Sequence, residues 1–408
     1  MDKNPFKLIE FGVVASVGAL ALIGTSTLIG HAKRAKQARI QHENLEYPDE
    51  KIQDLIKEGY IPIATAEELN SIRNTSPRFY GVGTEWKAPY AGGLSERYVQ
   101  VKDIDLSEYG DWTPIGTLHA NFRGTYDGGN YVITGLKIKS EDKDYQGLFG
   151  RTEGATIRNV PLEDVNVTGA NNVGGLVGYA SNTNISNSCT TGEVTGRGQV
   201  GGLIGGTNNS MISKSYTEGI IMGSNQVGGL VGLAYNNAEI SNSYSTCSSI
   251  GLDIGVYIGG LVGRANSGTM ISNSYATGTV TGSSALGGLV GVTVESTIKN
   301  SYAKGTIKGG DSKYIGGLVG WAWDDSAIEN SYATGLVKGN NNSGGLVGRI
   351  ESSTVTSSYW DTETTGRSWS AEVGTGKSTN EMKDKETYLD WDFVDVWKID
   401  NGDYPTLR

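Results

Sequence analysis

The chain has 408 residues, 60 of them glycine and only 8 proline, and a formal net charge of −10. This composition excludes collagen-like and polyproline architectures, and an acidic chain without a basic stripe is a poor partner for nucleic-acid phosphates. Charged residues make up 19% and hydrophobic ones 37%. Asn, Ser, Thr and Gly fill the difference, which suits stacked β-structure with many tight turns, and the regular spacing of Val, Ile and Leu argues against disorder.

Residues 8–31 are almost continuously apolar, with one acid, Glu10. The length fits a single membrane span of about 20 residues. No small-x-small cleavage site follows in the usual place, which favours an anchor over a removed signal. Lys33, Arg34, Lys36 and Arg39 come directly after. The run Phe6-Lys7-Leu8-Ile9-Glu10-Phe11, leading into an apolar helix with a basic extension, resembles the N-terminus of type IV pilin-like proteins. The resemblance implies cleavage before Phe6, pairing of Glu10 with a neighbouring subunit's free N-terminus, and apolar helices bundled into a filament core. The residue before that cut is glycine in the family and Pro5 here. An ordinary signal anchor that carries a glutamate is the other reading. Residues 33–45 continue as a polar helix ending before Pro48, and 49–58 form a second short helix. Residues 1–45 are thus read as a transmembrane or pilin-like helix and 46–60 as a linker.

Residues 61–145 read as an N-terminal cap and first coil. Thr65-Ala66-Glu67-Glu68 is a capping box, and its helix, about 65–73, is expected to close the lower end of the stacked coils formed by residues 146–357. Asp127-Gly128-Gly129-Asn130 reads as a tight turn between strands.

Self-similarity dominates residues 146–357. GGLVG or GGLIG begins at Gly174, Gly201, Gly228, Gly259, Gly287, Gly316 and Gly344, at spacings of 27, 27, 31, 28, 29 and 28 residues, and a weaker copy, QGLFG, begins at Gln146. A second phrase comes after each, as in Ile271-Ser272-Asn273-Ser274-Tyr275. Three short apolar stretches per repeat, punctuated by Gly, Asn and Ser, have strand length and suit no helix. One unit cannot bury its own face, whereas stacked copies can. The expected fold is all-β: a parallel β-helix, or β-solenoid, of about 28-residue coils rising roughly 4.8 Å each, preceded by the long N-terminal apolar α-helix. Stacking predicts ladders: leucine from Leu176 to Leu346, isoleucine from Ile185 to Val355, tyrosine from Tyr216 to Tyr359 with Cys189 as the first rung, and asparagine from Asn187 to Asn330, interrupted at Lys214. The 31-residue spacing implies an inserted loop near Ser249–Tyr257. Cys189 and Cys247 occupy different repeat positions and are expected as free packed thiols.

These phrases resemble the GLUG motif of bacterial surface proteins, some of them similar to filamentous haemagglutinins and immunoglobulin-A peptidases. The lead-in segments and the tail, Tyr359-Trp360-Asp361 through WDFVDVWKIDNGDYPTL, resemble the same family, so the likeness runs from about residue 60 to 408. The tail, 358–408, reads as a C-terminal aromatic cap over an otherwise exposed β edge.

The sequence offers no catalytic, metal or cofactor set. Its three histidines are scattered, His42-Glu43 lacks the second histidine of HExxH, and no GxSxG elbow or P-loop occurs. Trp321-Ala322-Trp323-Asp324-Asp325 follows GGLVG at a position that varies between repeats. Two outward tryptophans beside Asp324 and Asp325 would stack on a sugar ring; packing under a loop is the alternative. The functional reading is a non-enzymatic cell-surface adhesin or pilin-like filament subunit. It would be held to a membrane by its N-terminal helix, self-assemble, and attach to a host or environmental glycan or surface. A β-helix carbohydrate-active enzyme and a passive surface scaffold are the alternatives.

Overall fold

The computed structural model describes residues 49–73, 81–82, 85–86, 93–310, 313–340 and 343–408. Phe6, Glu10 and the apolar run 8–31 lie outside them, and among the described residues no helix is long and apolar enough to cross a membrane. The described chain begins with helix α1 (Asp49–Lys57), followed by the strand Ile61–Ile63 and helix α2 (Ala66–Ser71). Thr65 caps α2 by accepting the Glu68 amide at 3.2 Å, and the Glu68 carboxylate reaches back to the Ala64 amide at 2.7 Å. Leu69 and the neighbouring Ile72 are fully buried and join the main core.

From Ile61 onward the chain winds as a parallel β-solenoid. An 11-stranded sheet carries the isoleucine phrase, from Ile61–Ile63 to Thr354–Thr356. An 8-stranded sheet carries GGLVG, from Phe149–Glu153 to Val347–Glu351. A third, branched ladder carries the tyrosines and the V-x-G strands. Register follows the sequence repeat: Ile185 pairs with Ile212, Ile240 with Ile271, Val231 with Val262, and Tyr244 with Tyr275. The isoleucine column extends below the repeats through Ile157, Tyr126, Tyr98 and Ile61. Strand pairing therefore starts well before the first GGLVG phrase, because inward apolar side chains suffice to stack a coil. The Asp127–Asn130 turn is a corner between two different sheets, not a hairpin. Its strand Thr125–Asp127 pairs with Arg97–Gln100, whereas Ile133–Thr134 pairs with Ile104–Asp105.

Inside, Leu176, Leu203, Leu230, Leu261, Leu289, Leu318 and Leu346 are all inaccessible. Two further columns set how closely the walls approach. Thr190, Thr217, Ser245, Ala276, Ala303 and Ala333 follow one another in register. They face the second glycine of each GGLVG. A Cβ on Gly288 would sit 2.1 Å from the Gly317 carbonyl and 2.8 Å from the Ala303 methyl, so the repeat needs small residues on both walls.

At the next corner Asn187, Asn242, Asn273, Asn300 and Asn330 all lie in the left-handed region, as do Lys214 and Ser357. Asparagine enters this region more easily than most residues, and the amide of Asn300 also donates to Asn273 at 3.2 Å. The serine that follows is buried in each coil. Its hydroxyl donates to the carbonyl two residues back and accepts the amide of the serine one coil below, as in Ser243 amide to Ser274 hydroxyl at 3.2 Å and Ser274 hydroxyl to Ser272 carbonyl at 2.7 Å. Corner groups that would otherwise be buried unpaired are thus satisfied. Cys189 and Cys247 are free and buried, and burial pushes both thiols up to about 11. The extra residues after Ile250 form a tight bulge within Ser248–Gly259: Gly223 pairs with Gly251 and Asn225 with Val256.

The aromatic tail divides in two. Trp360 ends the small-residue column and fills the top of the core, where Gly345 leaves room for its ring. Arg367 donates to the carbonyls of Val337, Gly339 and Asn340, and Ser370 accepts the amides of Leu346 and Val347. Residues 378–408 instead fold back along the outside as a strap over the tyrosine column, in a cluster with Met382, Tyr388, Trp391 and Trp397.

Candidate functional site

In the strand Val319–Trp323, Val319 and Ala322 are buried in the core, and from Gly320 onward burial alternates, leaving Trp321 half-buried and Trp323 exposed. Trp321 belongs to a register column that also holds Arg151, Tyr179, Gly206, Leu233, Arg264, Val292 and Arg349. Most of these side chains are partly exposed, where packing dictates little. The two indoles stack with centroids 5.4 Å apart and planes 15° from parallel. Trp323 is 40% exposed. Trp321 is half-buried against Tyr314 at 5.2 Å, and Arg349 lies over both rings. Arg349 also donates to the Tyr314 hydroxyl at 2.8 Å and pairs with Glu351. The structure thus brings Trp321 and Trp323 together and adds Arg349, which holds the equivalent repeat position one coil on, and Tyr314, which no motif in the sequence singles out.

Asp324 and Asp325 follow at the corner, exposed and in the left-handed region with φ of 53° and 55°. Their corner column contains Asn182, Asn209, Asn236, Ser267, Glu295 and Ser352, all left-handed. Backbone geometry therefore accounts for a short polar residue at these positions. The two residues follow Trp323 directly in the chain, and their exposed carboxylates are hydrogen-bond acceptors. A stacked aromatic platform with carboxylates beside it can hold a pyranose ring by its apolar face and its hydroxyls.

A second aromatic group occupies the other end of the same sheet. Arg151 lies 4.8 Å from the ring centres of both Tyr145 and Tyr179, and the Tyr179 hydroxyl bonds that of Tyr235 at 2.5 Å. Aligning the residues just after each phrase would have revealed Arg151, Tyr179 and Tyr235, though not Tyr145, which precedes its phrase. Among the described residues no group of three or more His, Cys, Asp or Glu side chains is placed to hold a metal ion.

Residues 223–250, 254–281, 282–308 and 311–337 match the model of the GLUG motif. A stretch of 104 residues is 38% identical to a protein of Evansella cellulosilytica named "Putative Gly-rich membrane protein", covering 24% of this chain and 12% of that one. Another of 74 residues is 42% identical to halomucin of Haloquadratum walsbyi, covering 18% of this chain and 1% of halomucin. The matches thus span a small part of either curated relative. Among solved structures, that of a "putative immunoglobulin A1 protease" from Bacteroides ovatus superposes with a TM-score of 0.50 at 21% identity, covering 86% of this chain and 92% of the other. The chain carries GLUG repeats on a β-solenoid, a fold shared with that structure.

Proposed function

We propose that this chain is a non-catalytic, surface-displayed attachment protein whose solenoid presents the Trp321–Trp323 platform to a glycan. The observation that carries the reading is the exposed ring of Trp323, stacked on Trp321 and followed in the chain by the exposed Asp324 and Asp325. Stacked indoles with carboxylates nearby in the chain suit the apolar face and the hydroxyls of a sugar. Display is supported by the names of the two curated relatives, one a membrane protein, and by the apolar run 8–31. The test compares the full chain with Trp323→Ala on a glycan array. Trp323 contributes little to the core, so the variant folds; loss of about tenfold or more in the bound signal is expected. Unchanged binding by the variant, or no glycan bound by the unaltered chain, refutes the reading.

The finer proposal is that Phe6 becomes the mature N-terminus and Glu10 pairs with it in a neighbouring subunit of a filament. It rests on the sequence Phe6–Phe11 and the apolar run behind it. Sequencing the N-terminus of the protein from its native cells decides it: a chain starting at Phe6 is expected, and an intact Met1 excludes processing.

A further inference from the structure

At the far end of the GGLVG sheet from the tryptophans, six strand steps away and so roughly 29 Å along the axis, a cleft of about 400 Å³ opens between residues 111–118 and 139–146. That volume falls within the range of about 300–1,000 Å³ common for small-molecule sites. The cleft lies where the entering chain has not yet adopted the GGLVG repeat, so its walls come from irregular turns instead of stacked strands.

Its charges are unusual for this molecule. In a chain of net charge −10, the ammonium groups of Lys139 and Lys143 line the cleft, exposed and without an ion pair among the described residues. Lys139 ends the strand Lys137–Lys139, and Lys143 sits in a turn closed by its amide to the Ser140 carbonyl at 2.9 Å. The acid between them and the coil, Asp144, is already engaged: it accepts the Asn171 amide at 3.0 Å and its side-chain nitrogen at 2.9 Å. The Tyr145 wall carries Arg151 stacked at 4.8 Å, a third cation close by. The lining also includes the exposed Asp111 carboxylate and the apolar side chain of Leu118, 52% exposed.

From this we infer that the cleft is a second ligand site, for a carboxylated sugar. The two lysines take the carboxylate, the tyrosine and leucine edges take the ring, and Asp111 with the neighbouring threonine and serine hydroxyls takes the sugar's hydroxyls. The lysines alone would hold any small anion, whereas the mixed walls select a polar ring that bears one. This site is separate from the tryptophan platform and does not depend on it.

The test is calorimetric titration of the full chain with D-glucuronate, D-glucose and acetate. Glucuronate is expected to bind at least about tenfold more tightly than either of the others. The double variant Lys139→Gln/Lys143→Gln is expected to lose about tenfold or more of that affinity. Lys308→Gln, an exposed lysine elsewhere, and Trp323→Ala should both bind as the unaltered chain does. Both cleft lysines are exposed, so an unchanged melting temperature is expected and separates lost binding from lost folding. Equal binding of glucose and glucuronate, equal binding of acetate and glucuronate, no binding of glucuronate, or full affinity in the double variant would each overturn the proposal.

Discussion

The tyrosine column is one feature in two environments. In its lower half Tyr216, Tyr244 and Tyr275 stack at 4.8 to 4.9 Å with planes within 3° of parallel, and they remain half-exposed. In its upper half Tyr302, Tyr332 and Tyr359 are buried beneath the strap. The stack holds from Tyr302 to Tyr332 at 5.1 Å, and above it Tyr359 turns instead to Tyr388 and Trp391. The repeat alone creates the column, since each coil supplies one ring. Whether a ring becomes core or surface depends on a segment outside the repeat. The leucine ladder shows no such split: its side chains are equally buried from bottom to top.

The largest expected difference between the halves is in truncation. Tyr332 is fully buried, contacts Trp391, Trp397 and Tyr404, and donates to the Pro405 carbonyl at 2.5 Å. Its replacement by alanine should cost about 3–5 kcal/mol, as for other large buried aromatics, and release the strap to proteases. Tyr244→Ala removes two ring stacks at a half-exposed site and should cost about 1–2 kcal/mol, leaving the strap resistant. Urea denaturation together with limited proteolysis separates the two outcomes. Equal costs would mean that the strap adds nothing to the upper half.

Much of this architecture is legible in the sequence because a solenoid makes every repeat report the same environment. The recurring Leu of GGLVG, the Ile of the second phrase and the Tyr that follows predict register without further information, and the paired strands follow it. The same redundancy hides the inward serine ladder. Ser274 and its equivalents read as turn residues by composition, and only the path of the chain shows their hydroxyls accepting amides from the coil below. The strap reads as a cap because its tryptophans signal burial but not which surface they bury. Trp360 and Trp397 belong to the same aromatic tail, yet one closes the core and the other lies against Tyr302 and Tyr332 outside it. At the candidate site, variability within the repeat places Trp321 on the outer face, where the structure has it. Arg349 is the equivalent of Trp321 in the next repeat, so register alone brings it alongside, whereas Tyr314 lies before the GGLVG phrase and its contact with Trp321 depends on the path of the corner between them.

A smaller difference between the halves should appear with pH. The strap is tied to the solenoid through the buried Asp361 carboxylate, which accepts the Tyr404 hydroxyl at 2.6 Å, the Thr379 hydroxyl at 2.8 Å, and the amides of Glu363 and Thr364 at 2.9 Å. Burial pulls its pKa upward, but these bonds, the Tyr404 hydroxyl's foremost, outweigh burial and hold it below the ordinary carboxylate value. Glu381, which closes the capping box at the start of the strap, is lowered to about 2, chiefly by the Ser378 amide and hydroxyl. Glu381 is held by Ser378 within the strap itself, so its shift does not report on docking, whereas a detached strap would take the Tyr404 and Thr379 bonds from Asp361 and let it rise toward the ordinary value of about 4. Below that pH the detached form binds a proton that the docked form does not, so docking weakens as pH falls toward the docked pKa of Asp361 and is fully present above about 5. Fluorescence of Trp391 and Trp397 should therefore be constant from neutral pH down to about 5 and change below about 4. Tyr404→Phe removes one bond to the charged carboxylate, worth about 1.5–3 kcal/mol, and should move that acid transition to higher pH. The neutral stack from Tyr216 to Tyr275 has no such anchor, so coil packing there, followed by amide exchange, should persist through the pH at which the strap lets go. Loss of both in a single acid transition would mean that strap and coils unfold as one unit, and the division between the two halves of the column would then have no thermodynamic counterpart.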